Sequence, residues 1–176
     1  IDPNEARLQQ IAKQFNMKKT ATDYKSVLDQ LDGVIVAVPP HLHHPMTIAC
    51  LEAGLHVLCE KPLALNSDDA RDMVEKAAET GRELVVNYNR RMIPTLSEIR
   101  RIIQSGKLGK LTHIDYQIHE KFNWPTVSGY YFDWRLNQKG VLFDRGVHIL
   151  DTLYWWLGAK PTITATQTDS FGGPEA

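Results

Sequence analysis

Three side chains in this sequence have the types and positions for moving a proton. Lys61 stands in Glu60-Lys61-Pro62, directly after the apolar run His56-Val57-Leu58-Cys59. Open α/β sheets bind their ligands at the ends of such runs, and a lysine there can give up a proton as ammonium and take one back as amine. Asp144 and His148 are four residues apart in a helix-patterned run, so both project from one face and can act as a pair. In that pair His148 can serve as hydrogen-bond partner or alternate proton carrier for a substrate hydroxyl, and Asp144 as substrate anchor and orienter. Asp151, one turn further on, reads as a helix or loop hydrogen-bonding group. The cluster His41, His43 and His44 invites a zinc reading. It lacks Cys partners and a second ligand group at metal spacing, and one Pro-bounded turn would have to hold all three rings, so no metal is expected.

The elements that must position these groups follow a repeated plan of apolar β-rich run, turn and amphipathic helix ending at Gly. Val34-Ile35-Val36-Ala37-Val38 is apolar on both faces, as a central strand of a parallel sheet must be, and Pro39-Pro40 stops it. A short helix is predicted from about Pro45 to Ala53, closed by Gly54, before the strand His56 to Cys59. Asn66 or Ser67 can cap a second helix with the stripe Ala70, Met73, Val74, Ala77 and Ala78; Gly81 ends it and Leu84-Val85-Val86 is the third strand. The style changes near Asn89-Arg90-Arg91, which sets a domain boundary there, with residues 1–90 in one domain and 91–176 in the next. Beyond it come a helix from about Pro94 to Ser105, a strand from Leu111 to His119, a loop from Phe122 to Lys139 able to lie over a site, a helix from about Phe143 to Leu157 closed by Gly158, and a strand from Thr162 to Thr168. The fold class is therefore α/β: part of a doubly wound parallel sheet, followed by part of a second α/β domain with a large open sheet.

Composition narrows the partner. The chain has 176 residues, 43% apolar and 23% charged, enough apolar mass for a core and too much for a disordered reading. A net charge of -1 with no basic run gives no reason to expect nucleic acid or anionic lipid, so a small molecule is the expected partner. No apolar run approaches the ~20 residues of a membrane helix. Cys50 and Cys59 both fall in apolar elements and read as buried thiols, which points to a reducing cytoplasm. A chain that starts at Ile1 reads as clipped, and the same holds for its far end.

Read in order, VIVAVPPHLHHP (34–45), ACLEAGLHVLCEKPL (49–63), VVNYNRR (85–91), FDWR (132–135) and GVLFDRGVHILD (140–151) resemble the Gfo/Idh/MocA oxidoreductases, a family named for glucose-fructose oxidoreductase, inositol dehydrogenase and a rhizopine-catabolism protein. Any one of these motifs is weak, but five in order are specific. The resemblance implies an N-terminal dinucleotide-binding Rossmann domain and a C-terminal α/β domain whose open sheet carries homodimer or homotetramer contacts. It implies that Lys61 lies beside nicotinamide and substrate, and that Asp144 and His148, in the family pattern Asp-x-Gly-x-His-x-x-Asp, face the substrate. Along the cofactor it places Pro39, Pro40 and His43 as a shaped wall, with Glu60, Asn89, Arg90, Trp134 and Arg135. Asn123, Tyr130 and Tyr131 could help hold substrate hydroxyls.

The sequence also departs from the family. Intact family members begin with a strand and a glycine-rich turn that holds the cofactor pyrophosphate at a helix N-terminus, and no G-x-G-x-x-G occurs in this sequence. Ile1-Asp2 would then end the second strand, with Asp2 accepting from the adenosine ribose, which favours NAD over NADP because a 2′-phosphate would be repelled. Pro40 stands where many relatives have Asn, and Lys139-Gly140-Val141 replaces the usual glycine triplet. The expected activity is NAD(P)-dependent hydride transfer to or from a sugar, polyol or inositol-like substrate, the fragment alone being inactive. The alternative is a non-catalytic regulatory protein of the same fold, against which the joint presence of Lys61, Asp144 and His148 argues.

Overall fold

The computed structural model describes residues 1–119, 140 and 142–167. The chain divides into two compact units, Ile1–Val86 and Asn87–Ala176.

In the first unit, Asn4 caps helix α1 (Glu5–Gln14) by accepting from the Arg7 N–H, a cap-and-helix start that the sequence reading passed over. The strands are β1 (Gly33–Val36), β2 (His56–Cys59) and β3 (Leu84–Val86), in the order β1-β2-β3 and all parallel. Helices α2 (His43–Glu52) and α3 (Ser67–Thr80) are the crossovers, giving the expected Rossmann-type parallel plan. Register puts Val36, Cys59 and Val86 in one row at the C-terminal edge, so the loops after β1, β2 and β3 leave from the same side.

The pleat sorts the strands into two faces. Val34, Val36, Val57, Cys59 and Leu84 point into a core shared with Cys50 and Leu51 of α2 and Met73 and Ala77 of α3. On the opposite face, register aligns Ile35, Leu58 and Val85, and Ile35 is 71% and Val85 52% exposed. A doubly wound sheet carries helices on both faces; among the described residues only one face has them. Helix α3 also differs from its predicted stripe: it meets α2 along Met73 and Ala77 while Val74 is exposed, because one neighbouring helix covers a narrower strip than the apolar pattern offers. Its start is as read, with Asn66 accepting from the N–H groups of Asp68 and Asp69, and Gly81 ends it at φ +66. Ile1 and Asp2 are not in a strand; the Asp2 N–H bonds to the Ala21 carbonyl, and the chain turns directly into α1.

In the second unit a 3₁₀ turn (Asn89–Met92) leads to α4 (Pro94–Gln104), where Pro94 occupies the first turn and Leu96, Ile99, Ile102 and Ile103 form a half-buried row. Helix α5 (Val147–Leu157) follows a π-helical turn (Leu142–Gly146) and ends at Gly158 with φ +65. Helices α4 and α5 are locked by two polar ties: the Trp156 indole donates to the Leu96 carbonyl at 2.9 Å, and Arg100 Nε donates to the Trp155 carbonyl at 3.0 Å while its guanidinium lies over the Trp155 ring. Residues 111–119 and 162–167 were expected as strands of an open sheet and are irregular. The alternation that suggested the first is present, since Ile114 and Tyr116 are half-buried between exposed neighbours and Tyr116 packs edge-on against Trp156. A strand also needs a hydrogen-bonded neighbour, and neither segment has one among the described residues.

Candidate active site

The first unit presents its candidate groups on the loops that leave the C-terminal sheet edge. The Glu60 N–H extends the ladder by one bond to the Val36 carbonyl, at 2.9 Å, which carries the β1–β2 pairing to the residue before Lys61. Lys61 is half-buried, its N–H donates to the Glu60 carboxylate at 3.2 Å, and the Lys61–Pro62 peptide bond is cis. Opposite, extended Pro39 leads into a 3₁₀ turn (Pro40–Leu42) that runs into α2. The two prolines offer ring surface and no N–H at the edge where a nucleotide would lie.

The histidines separate. His41 is exposed, and His44 Nε2 meets the Asp72 carboxylate at 2.6 Å, tying α2 to α3. His43 is fully buried, with Nδ1 2.7 Å from the Pro62 carbonyl and Nε2 2.9 Å from the Val38 carbonyl. This corrects the expectation that His43 lines the cofactor wall: a ring with no exposed surface and backbone carbonyls at both nitrogens stands behind the wall. Among the described residues no three His, Cys, Asp or Glu groups are arranged to hold a metal. Cys59, in the core, has its thiol pushed up to about 11, chiefly by burial and further by the Glu60 charge, with the neighbouring Thr47 hydroxyl acting in the opposite direction. Asp2 is engaged locally: it accepts from the Asn4 N–H at 2.8 Å and lies 3.7 Å from Arg7 Nε.

In the second unit the predicted residues gather around the start of α5. Asp144 and His148 were expected on one regular helix; instead Asp144 lies in the π turn and His148 in the first turn of α5. The wider i→i+5 turn shifts Asp144 out of the α-helical register that the four-residue spacing assumed. A Cβ at Gly146 would come within 2.7 Å of Leu142 Cδ1, the far end of an exposed and flexible side chain, so the turn itself does not require glycine there. Asp144 is about a quarter exposed and pairs with Arg145 at 3.6 Å, whereas His148 is 9% exposed.

Sequence reading missed Tyr88 and Arg91. The Tyr88 ring stands edge-on to His148, with ring centroids 6.3 Å apart and planes at 82°, and the Arg91 guanidinium lies 6.0 Å from the Tyr88 centroid. Burial raises the Tyr88 phenol, helped by the Asp151 charge and opposed by Arg91. An aromatic beside two arginines in VVNYNRR was the available signal. Asn89 and Arg90 lie in the 3₁₀ turn, Asn89 exposed and Arg90 half-buried. Trp134, Arg135, Asn123, Tyr130, Tyr131, Lys139 and Val141 lie outside the described residues.

Parallel strands joined by crossover helices, with candidate polar groups on the loops at their C-terminal edge, define a Rossmann-type α/β domain. The chain belongs to the Gfo/Idh/MocA oxidoreductase family: residues 1–88 match the family described as "Oxidoreductase family, NAD-binding Rossmann fold", and residues 96–175 match its C-terminal domain. It is 31% identical over 168 residues to inositol 2-dehydrogenase 2 of Saccharopolyspora erythraea, covering 94% of this chain and 47% of that one. It is 35% identical over 146 residues to 1,5-anhydro-D-fructose reductase of Ensifer adhaerens, covering 81% and 42%. Among solved structures, an inositol dehydrogenase homolog from Azotobacter vinelandii complexed with NAD+ superposes with a TM-score of 0.79 at 28% identity, over 90% of this chain and 45% of that one. The chain thus spans about half the length of the relatives it matches. Among the described residues no helix is long and apolar enough to cross a membrane.

Proposed function

We propose that the protein carrying this chain is an NAD(P)-dependent oxidoreductase acting on a CH–OH group of a sugar, polyol or inositol-like substrate, with Lys61 relaying the hydroxyl proton. The observation that carries the reading is the placement of Lys61, half-buried on the loop after β2, at the C-terminal edge of a parallel sheet in a chain matched to this family along both units. The inositol and anhydro-fructose substrates in the relatives' names are both cyclic and polyhydroxylated, which supports that substrate class.

The residues fit a dinucleotide: Pro39 and Pro40 supply an apolar wall, Glu60 and Lys61 the polar side of the same edge, and the Asp2 carboxylate an acceptor for ribose hydroxyls that favours NAD over NADP. When bound, the nicotinamide supplies the hydride chemistry. Lys61 Nζ hydrogen-bonds the reacting oxygen and takes or returns its proton; His148 and Asp144 anchor the substrate hydroxyls and fix their orientation. Asn89, Arg90, Trp134 and Arg135 add cofactor contacts. A homodimer or homotetramer formed through the C-terminal domain is part of the same reading.

The test is a panel of polyols and cyclic sugars with NAD and NADP in the full-length protein, followed by Lys61→Ala. Turnover should fall by roughly 100-fold or more, the scale of a lost general acid–base group, while dinucleotide binding persists. Wild-type turnover in Lys61→Ala defeats the assignment, and dinucleotide binding with no turnover on any substrate favours a regulatory role.

A further inference from the structure

His43 combines three facts that its sequence neighbourhood did not announce. Its side chain is fully buried, it is the first residue of α2, and its two ring nitrogens meet carbonyls from two different loops. One carbonyl belongs to Val38, two residues past the end of β1; the other belongs to Pro62, the residue after Lys61. We propose that His43 is a positioning residue for Lys61, its imidazole fastening the loop after β1 and the loop after β2 to the start of α2.

The chemistry of the contacts sets how this fastening works. A carbonyl oxygen only accepts, so a bond to either needs a ring N–H. The ring spans the gap between the two loops whichever nitrogen bears hydrogen: one nitrogen faces the Val38 carbonyl and the other the Pro62 carbonyl. In a fully buried site a hydrogen bond counts for more than it would in water, and a carbonyl left without its donor costs correspondingly more. The ladder bond from the Glu60 N–H to the Val36 carbonyl aligns the two loops up to residue 60, and the imidazole ties them again beyond Lys61. Lys61 is therefore bracketed by a tie on each side, which is the preorganisation that a proton-transferring group requires. His43 acts on the reaction only through Lys61 and touches neither substrate nor cofactor, so the inference rests on the reading of Lys61 given above.

Two measurements test it. The first needs no activity: in ¹⁵N–¹H correlation spectra His43→Phe should shift the amide signals of Lys61 and Leu63 while leaving that of Met73 in place. An unmoved Lys61 amide overturns the proposal. The second is a double-mutant cycle on turnover in the full-length protein. His43→Phe alone should lower kcat by on the order of 10- to 100-fold, the effect of a misplaced catalytic group, with dinucleotide affinity held within about 2-fold. In a Lys61→Ala background the same change should cost nothing further, whereas equal losses in both backgrounds mean that His43 supports the fold without acting through Lys61. If Lys61→Ala itself keeps wild-type turnover, the lysine assignment falls and the fastening is decided by the spectra.

Discussion

Arg91 and Asp151, sixty residues apart in sequence, meet through two parallel hydrogen bonds, Nε to Oδ2 at 3.0 Å and Nη2 to Oδ1 at 2.5 Å. The Asp151 side chain is 8% exposed and that of Arg91 46%, so a largely buried carboxylate is met by a guanidinium reaching in from solvent. Asp151 sits one turn after His148 on α5, and Arg91 belongs to the same 3₁₀ turn as Asn89 and Arg90. The fork pins the two segments that carry the second unit's candidate residues. The hydrogen bond to Asp151 raises the Arg91 guanidinium further, so the pair persists through the alkaline range.

Arg91→Met should destabilise the protein by about 2 kcal/mol, less than a fully buried pair because Arg91 is half in solvent. Urea unfolding should show a lower midpoint at unchanged slope. Adding Asp151→Leu should recover much of the loss, since the cost comes from the stranded carboxylate. Two losses that simply add would show that the fork is not the source.

Cys59 makes an alkaline prediction. Its thiol titrates near 11 in the fold against an ordinary 9.0, so the folded state holds the proton more tightly than the unfolded chain. That stability is fully present below pH 9 and is lost as the pH rises through 11, a contribution on the order of 2–3 kcal/mol. Stability measured from pH 8.5 to 11 should therefore fall more steeply in wild type than in Cys59→Ala. Iodoacetamide should leave Cys59 unlabelled in the native protein at pH 8 and label it in urea, as read by mass spectrometry. Rapid native labelling would contradict the buried placement.

The ends of α3 should be sensitive. Asn66→Ala removes the acceptor for two N–H groups and should cost about 1 kcal/mol. Gly81→Ala forces a side chain into a left-handed backbone and should cost about 1 kcal/mol although nothing lies within 4 Å of the new methyl. Thermal unfolding distinguishes both from Ser67→Ala, which should change little.

Among the described residues one sheet face carries no helix. Ile35, Leu58 and Val85 form a cross-strand apolar row, and such patches drive association. Ile35→Thr should reduce light scattering at high concentration while moving the unfolding midpoint little, because Ile35 is 71% exposed. Unchanged scattering would place the sticky surface elsewhere.

The parallel core was legible because each of its elements announces itself locally. Apolar runs at 34–38, 56–59 and 84–86, with Gly54 and Gly81 between them, are enough to write β1-α2-β2-α3-β3. Helix α1 was legible too: Leu8, Ile11, Ala12 and Phe15 fall at helical spacing and Asn4 marks its start, although only Leu8 of that stripe is fully buried. The strands expected at 111–119 and 162–167 show a failure, a pattern that needs pairing partners its own residues do not supply. Lys61, Asp144 and His148 could be picked out by type and spacing. The contacts that hold the sites could not. His43 bonds backbone carbonyls whose positions no side-chain pattern encodes, and Arg91 finds Asp151 across sixty residues.

Gly54 and Gly81 close α2 and α3 at positive φ immediately before β2 and β3, so both turns lie at the edge of the sheet opposite the one that carries Lys61. The fold thereby keeps its punctuation and its chemistry at different ends of the same strands. A reporter peptide or fluorophore spliced in after Gly81, where the chain is exposed, lengthens a connection without disturbing the row Val36, Cys59 and Val86. That turn is the natural attachment point for a label meant to report on this site from a distance.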